Sequence, residues 1–167
     1  MAALGAGQRL RIVNPLEDAL PGLAQGGYRI TSPGDKRYNC IAWAAGDAAN
    51  WWWPVPPDVP EVFWPPGVAR VETLDAFRAA FASLGYAECP GVGVEPSYEK
   101  IAIFANDHGI PLHVARQLSS GLWTSKLGEL EDIEHRLHDL EVTEYGSVVL
   151  VMKRPVLAVE GEKADAK

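Results

Sequence analysis

Residues 38–45 have the sequence Tyr38-Asn39-Cys40-Ile41-Ala42-Trp43-Ala44-Ala45, where an irregular, charged segment gives way to an apolar, alanine-rich run. Turn-forming residues at 31–37 precede it, so Asn39 suits the N-cap of a helix and Cys40 falls in the first turn. A helix N-terminus carries a partial positive charge, which lowers the pKa of a thiol placed there. The pattern favours Cys40 as a nucleophile. The alternative is a buried cysteine that only packs.

The size and charge of the chain limit the number of domains that it can form and the kinds of partner that it can bind. It has 167 residues, 47% of them hydrophobic, which predicts one domain over 1–154 and a flexible C-terminal tail at 155–167. The net charge of -7, with no cluster of Lys and Arg, argues against a nucleic acid or an anionic membrane as partner. The oligomeric state is left open by these features.

Cysteine usage and hydropathy predict a cytoplasmic protein. Two cysteines, Cys40 and Cys89, are too few for a disulfide framework and suit reduced thiols. The N-terminus lacks the basic and apolar regions of a signal peptide, and no later run is long and apolar enough to span a membrane. A specialised secretion system would need no such signal.

Predicted helices lie mainly in the first half of the chain and predicted strands in the second. A strand at 9–13 and a short helix at 14–22 precede the cysteine helix, which runs from Cys40 to about Asn50. An amphipathic helix follows at 72–84. The strands are predicted at 86–89, 100–105, 112–118, 122–127, 134–140 and 147–154. The fold class is therefore α+β, with N-terminal helices packed on a C-terminal antiparallel sheet.

A segment rich in tryptophan and proline follows the cysteine helix at 51–66, and it holds four of the six tryptophans. Its prolines disfavour both a helix and a central strand, so we expect an extended, semi-rigid segment. Its aromatic side chains either pack on the core, which we favour, or line a substrate groove beside Cys40.

A candidate base lies on the second of the paired strands. Strand alternation puts His113 on one face with Ala115 and Gln117. A hairpin with Gly121 at its left-handed position pairs this strand with the next one. A histidine on a sheet face can meet a cysteine on a helix packed across it, which is the arrangement that a thiol–imidazole pair needs.

These motifs resemble the NlpC-type peptidases, the bacterial branch of the papain-like cysteine hydrolases, and also one small bacterial family. The similarity covers residues 38–127. It is carried by Asn39-Cys40-Ile41-Ala42-Trp43-Ala44, the strand at 100–104, His113-Val114-Ala115-Arg116-Gln117-Leu118, the Ser-Ser-Gly hairpin and Trp123-Thr124-Ser125.

The resemblance implies a papain-like fold and a set of site residues. Cys40 would be the nucleophile, His113 the base, and Ser125, twelve positions after His113, the residue that orients the imidazole. Asp132 is an alternative orienting residue, as is Asp107, unless Asp132 is only a turn residue. The family usually has an acidic residue where Asn39 stands. Either the backbone or the side chain of Asn39 would help the Cys40 N–H to hold an oxyanion. The expected groove residues are Tyr38, Asn39, Trp52 and Trp53, whereas His135 and His138 are expected to be solvated.

We therefore expect a cysteine hydrolase or acyltransferase that acts on an amide, isopeptide or thioester bond of a peptide or protein. It would work through a thiolate–imidazolium pair and an acyl-enzyme, with no cofactor and no metal. An alternative from another class is a catalytically silent papain-like module that binds a protein or peptide through the Trp/Pro-rich segment. A zinc site built from Cys40, Cys89, His108 or His113 is least favoured, because no pair has close ligand spacing.

Overall fold

The computed structural model describes residue 17, residues 20–141 and residues 144–156. The predicted strand at 9–13 lies outside the described residues, as do most of the predicted helix at 14–22 and the tail from 157 onward. The described part contains α1 (Gly22–Gly26), α2 (Cys40–Ala44), α3 (Leu74–Ala82) and a 3-10 turn at Leu137–Leu140. Its strands are β1 (Arg29–Ser32), β2 (Trp51–Trp52), β3 (Val62–Phe63), β4 (Ala87–Glu88), β5 (Tyr98–Ala105), β6 (Pro111–Gln117), β7 (Trp123–Lys126), β8 (Asp132–His135) and β9 (Ser147–Pro155).

Seven of these strands form one antiparallel sheet in the order β1-β8-β7-β6-β5-β9-β4. The α+β class with an antiparallel sheet is thus confirmed. The predicted hairpin is also present: the Leu118 N–H donates to the Leu122 carbonyl at 2.8 Å, and Gly121 has φ +92°. This turn pairs Arg116 with Thr124, which places β6 and β7 side by side.

The two faces of the sheet carry separate apolar clusters. Helices α2 and α3 cover the face that presents Ile101, Ile103 and Val114. The other face presents residues such as Phe104 and Ala115 to α1 and the 3-10 turn. Because side chains alternate along β6, Val114 lies on the face of α2, and His113 lies on the opposite face.

Several predicted elements differ in extent from those observed. Helix α2 ends at Ala44 and not near Asn50, because Gly46 turns the chain at φ +87° and the Asp47 N–H bonds to the Ala42 carbonyl. The predicted strand at 134–140 is strand β8 followed by the 3-10 turn. The tail was expected from 155, but β9 includes Pro155. Strand β1 was not predicted, because its pairing with β8 spans about a hundred residues.

The Trp/Pro-rich segment at 51–66 folds against the helical face, outside the seven-stranded sheet. Its two short strands β2 and β3 run parallel, with Trp52 paired with Phe63. Trp52 and Trp64 are buried, and the Trp64 ring lies 5.4 Å from that of Phe77 in α3. The preference for core packing over a groove thus holds for two of its four tryptophans. Among the described residues, no helix has the length and apolarity needed to cross a membrane.

Candidate active site at Cys40 and His113

Asn39 fixes the start of the helix that carries Cys40. Its Oδ1 accepts hydrogen bonds from the backbone N–H of Ala42 and of Trp52, each at 3.2 Å, and its Nδ2 donates to the Trp52 carbonyl at 2.7 Å. The side chain therefore caps α2, as predicted, and also ties it to β2. These bonds commit the Asn39 side chain to the backbone of Ala42 and Trp52.

The Cys40 thiol is buried, with 7% of the residue exposed, and hydrogen-bonds to the backbone N–H of Val114. Burial raises the pKa of Cys40 to about 11, although the hydrogen bonds from Val114 and Ile41 act in the opposite direction. The expected lowering of the pKa is therefore wrong, because desolvation of the thiolate outweighs the favourable amides of the helix start. At pH 7 the thiol is neutral.

His113 lies next to Val114 in β6 and is fully buried. Its ring stacks on Tyr145 at 4.4 Å and meets the edge of Phe104 at 5.3 Å. Tyr145 also lines the cavity that Cys40 lines. Tyr145 thus contacts the His113 ring and lines the cavity of Cys40. The helix of Cys40 packs on the opposite face of β6, which differs from the arrangement that the sequence suggested.

A chain of three hydrogen bonds leads from His113 into the protein. His113 Nε2 lies 2.8 Å from Ser125 Oγ, Ser125 Oγ lies 2.7 Å from His135 Nε2, and His135 Nδ1 lies 2.8 Å from the Arg136 carbonyl oxygen. The resemblance to NlpC-type peptidases implied Ser125 at this place, twelve positions after His113. The Ser125 hydroxyl is too short to span the diagonal distance between β7 and β6. The longer imidazole side chain of His113 covers that distance.

This chain determines the tautomers of both histidines. The Arg136 carbonyl can only accept, so His135 Nδ1 carries a proton and its Nε2 accepts from the Ser125 hydroxyl. The oxygen of Ser125 then accepts from the His113 Nε2–H. In neutral His113 the remaining nitrogen, Nδ1, is a bare base. It is buried and has no hydrogen-bond partner among the described residues, the Cys40 thiol included.

Both histidines are neutral at pH 7. Burial lowers the pKa of His113 to about 3, with a smaller contribution from His135, and it lowers the pKa of His135 to about 4. The expectation that His135 is solvated is therefore wrong: the residue lies in β8 on the buried face with Ser125. His138 is largely exposed, as expected. No feature of the nearby sequence marks His135 as a partner of Ser125. Only the pairing of β7 with β8 brings the two residues together.

Asp132 and Tyr38 belong to a different network, on the helical face. The Asp132 carboxylate accepts from Tyr38 Oη at 2.8 Å and from Thr31 Oγ1 at 2.5 Å, and it is fully buried. It is a strand residue and not a turn residue. Of the two residues, the structure thus brings Ser125, and not Asp132, into hydrogen-bond contact with His113. Asp107 lies in an exposed turn.

Cys40 opens onto a cavity of about 310 Å³. Its other side chains come from Asn39, Trp51, Trp53, Leu112 and Tyr145. Of the expected groove residues, Asn39 and Trp53 line this cavity, whereas Tyr38 and Trp52 pack in the core. Trp51, Leu112 and Tyr145 were not predicted. Strand alternation across 51–53, which puts Trp51 and Trp53 on one side and Trp52 on the other, is the signal that would have identified Trp51.

Among the described residues, no group of three or more His, Cys, Asp and Glu side chains is arranged to hold a metal ion. Cys89, a member of the zinc alternative, lies against the Gly91 carbonyl beside β4 and β9. His108 lies in the exposed turn between β5 and β6.

Comparison with known proteins places the chain in a family. No curated protein matches it significantly, and no solved structure does. A family model described as a domain of unknown function, DUF7689, matches residues 29–153, which include every strand of the large sheet and both Cys40 and His113. The chain therefore belongs to the DUF7689 family.

Proposed function

We propose that Cys40 and His113 are the nucleophile and the base of a papain-like cysteine hydrolase or acyltransferase, as the resemblance to NlpC-type peptidases implies. The substrate would carry an amide, isopeptide or thioester bond, in a peptide or a protein. The observation that carries this proposal is the bare, buried Nδ1 of His113, whose ring stacks on Tyr145, a residue that lines the same cavity as Cys40.

The orientation of His113 supports a role as base. A histidine that serves only packing needs no fixed tautomer, whereas a general base must present an unprotonated nitrogen to the thiol. The bonds through Ser125 and His135 hold the proton of His113 on Nε2 and leave Nδ1 open. Leaving that buried nitrogen without a partner costs on the order of 1–3 kcal/mol, a cost that a purely structural site would avoid.

The raised pKa of Cys40 and the lowered pKa of His113 determine the form of the mechanism. The resting pair is neutral, and not the thiolate–imidazolium pair that the sequence led us to expect. As the thiol sulfur attacks the scissile carbonyl, its proton passes to His113 Nδ1, and the S–C bond forms. The imidazolium then protonates the leaving amine or thiolate, and the bond to the leaving group breaks. Water or an acceptor amine, deprotonated by Nδ1, releases the acyl group and restores the thiol.

The thiol and Nδ1 are not hydrogen-bonded in the free protein. Catalytic hydrogen bonds are often long or misaligned in free enzymes and tighten only when substrate binds. The backbone N–H of Cys40, at the start of α2, would donate to the oxyanion of the tetrahedral intermediate.

The test is acylation by the acetyl thioester of N-acetylcysteamine, followed by intact-protein mass spectrometry and peptide mapping. Without a base, a buried thiol with a pKa near 11 reacts more slowly than the half-buried Cys89 of the same molecule. If His113 acts as the base, Cys40 is acetylated at least about tenfold faster than Cys89.

Two variants make the result interpretable. His113→Ala should reduce the acetylation of Cys40 to the rate of Cys89 or below, whereas His108→Ala, in an exposed turn, should leave it unchanged. Acetylation of Cys40 that is slower than that of Cys89 in the wild-type protein, or equal in the wild type and in His113→Ala, would refute the proposal.

A further inference from the structure

We infer that the group attached to the scissile carbonyl is a neutral, apolar acyl group, at least as large as phenylacetyl, and that it occupies the 310 Å³ cavity beside Cys40. This inference rests on the proposed function of Cys40, because the cavity is where the acyl part of an acyl-enzyme would lie. It adds the class of substrate to that proposal.

The composition of the cavity supports an apolar occupant. Trp51, Trp53, Leu112 and Tyr145 supply its side chains beside Cys40, and all four are half-buried, so their apolar surfaces remain available to a ligand. The amide side chain of Asn39 is committed to the backbone of Ala42 and Trp52. In the part of the chain that the structure describes, no Lys, Arg, Asp or Glu lines the cavity.

The nearest cation does not make the cavity suitable for an anionic acyl group. Lys126 lies close enough to influence Cys40, but its Nζ donates to the carbonyl oxygens of Asp35 and Gly128 and lies over the Tyr38 ring at 4.8 Å. A carboxylate on the acyl group would therefore lose its water without gaining a charged partner, which is strongly unfavourable.

The volume of the cavity sets the size of the group. A water molecule takes about 30 Å³ in the liquid, so 310 Å³ corresponds to roughly ten waters. An acetyl group would leave most of this space filled with water against aromatic surface. A phenylacetyl group would displace that water and place its ring between Trp51 and Trp53, where ring–ring contacts are favourable.

Polar and charged parts of the substrate have a place farther from the carbonyl. A second cavity, of about 700 Å³, shares Trp51 with the first. Charged residues of both signs line it, namely Lys36, Arg37, Glu61 and Glu129. Charge on the substrate is therefore disfavoured only in the group next to the scissile carbonyl. The rest of a peptide-like substrate can extend past Trp51 into the second cavity.

The experiment compares two ligands that differ only in the acyl group. The full-length Cys40→Ala protein, which cannot form an acyl-enzyme, is titrated with phenylacetylglycinamide and with succinylglycinamide, and binding is followed by tryptophan fluorescence and ligand-observed NMR. We expect phenylacetylglycinamide to bind at least tenfold more tightly. Adding Leu112→Lys, which places a cation at the cavity, should reverse or abolish that preference. Adding Leu122→Lys, an exposed leucine of the β6–β7 hairpin, should leave it unchanged.

The outcomes separate this inference from the proposed function. Absence of saturable phenylacetylglycinamide binding, equal affinity for the two ligands, or a preference insensitive to Leu112→Lys would overturn the inference, whatever the reactivity of Cys40. Selective binding in the Cys40→Ala protein would support it even where the acetyl and the phenylacetyl thioesters of N-acetylcysteamine both fail to modify Cys40, and that double failure would refute the catalytic proposal alone.

Discussion

Ser125 Oγ lies 2.7 Å from His135 Nε2, so a histidine of β8 determines which way the serine hydroxyl points. The hydroxyl proton is given to His135, and the serine oxygen is left to accept from His113. Three neighbouring strands thus supply one hydrogen-bonded chain, in which Ser125 positions His113 and His135 positions Ser125. Outer partners of this kind orient reactive side chains and affect activity without touching the substrate.

The first prediction concerns His135. His135→Gln should slow acetylation of Cys40 by about tenfold or more, because a glutamine amide can present either its donor or its acceptor to Ser125 and no longer fixes the direction of the serine hydroxyl. His138→Gln, three residues away and exposed, is the matched control and should have no effect. Rates are compared on protein shown to be folded by circular dichroism. An unchanged rate in folded His135→Gln would contradict the positioning role.

A second prediction follows from the burial of the thiol. The pH dependence of iodoacetamide alkylation, resolved by site, should give Cys40 an apparent pKa above the ordinary thiol value of about 8.5 and closer to 11. The cause is desolvation of the thiolate in the core beside Val114. Cys89 in the same protein serves as the internal reference for reagent reactivity. An apparent pKa below 8.5 for Cys40 would mean that a thiolate–imidazolium pair forms in the free protein.

The third prediction concerns acid stability. His113 and His135 have folded-state pKa values lowered to about 3 and about 4, so between these values and 6.5 the unfolded chain binds protons that the folded chain does not. Their contribution to stability is present above about pH 6.5 and is lost as the pH falls below it. By pH 5 each should cost on the order of 2 kcal/mol.

Urea titrations at pH 7 and pH 5 measure this loss. His135→Gln should show a smaller decrease in the free energy of unfolding between the two pH values than the wild type. His108→Gln, in an exposed turn, should behave as the wild type does. If His135→Gln and the wild type lose the same amount, the neutral buried state of His135 is incorrect.

A fourth prediction separates the Asp132 network from the site. Asp132→Asn should lower the free energy of unfolding by about 1–3 kcal/mol, because the buried hydroxyl of Tyr38 and the hydroxyl of Thr31 lose a charged acceptor. Asp107→Asn, in an exposed turn, should change it by less than about 0.5 kcal/mol. Under conditions in which the Asp132→Asn variant is folded, its Cys40 should be acetylated at a rate within about threefold of the wild-type rate. A loss comparable to that of His113→Ala would assign Asp132 to the catalytic machinery after all.

Local sequence patterns were sufficient for most of the sheet and for the chemical identity of the site. Alternation along 98–127 and the glycine at Gly121 specify the β5–β6–β7 meander, because the turn sets the register over a few residues. The same register places Ser125 on the face of His113, so their hydrogen bond follows from a spacing of twelve. The cap at Asn39 and the position of Cys40 after it are likewise local features.

Contacts between distant segments decided the rest. The pairing of β8 with β7 buries His135 against Ser125, and β1 joins the edge of the sheet by pairing with β8. The state of the thiol is also a tertiary property: the sequence placed Cys40 at a helix start, which favours the thiolate, but packing of α2 against β6 removes it from water and raises its pKa. The sequence by itself singled out Cys40, His113 and Ser125. Their ionisation and their partners depend on burial, which no local pattern encodes.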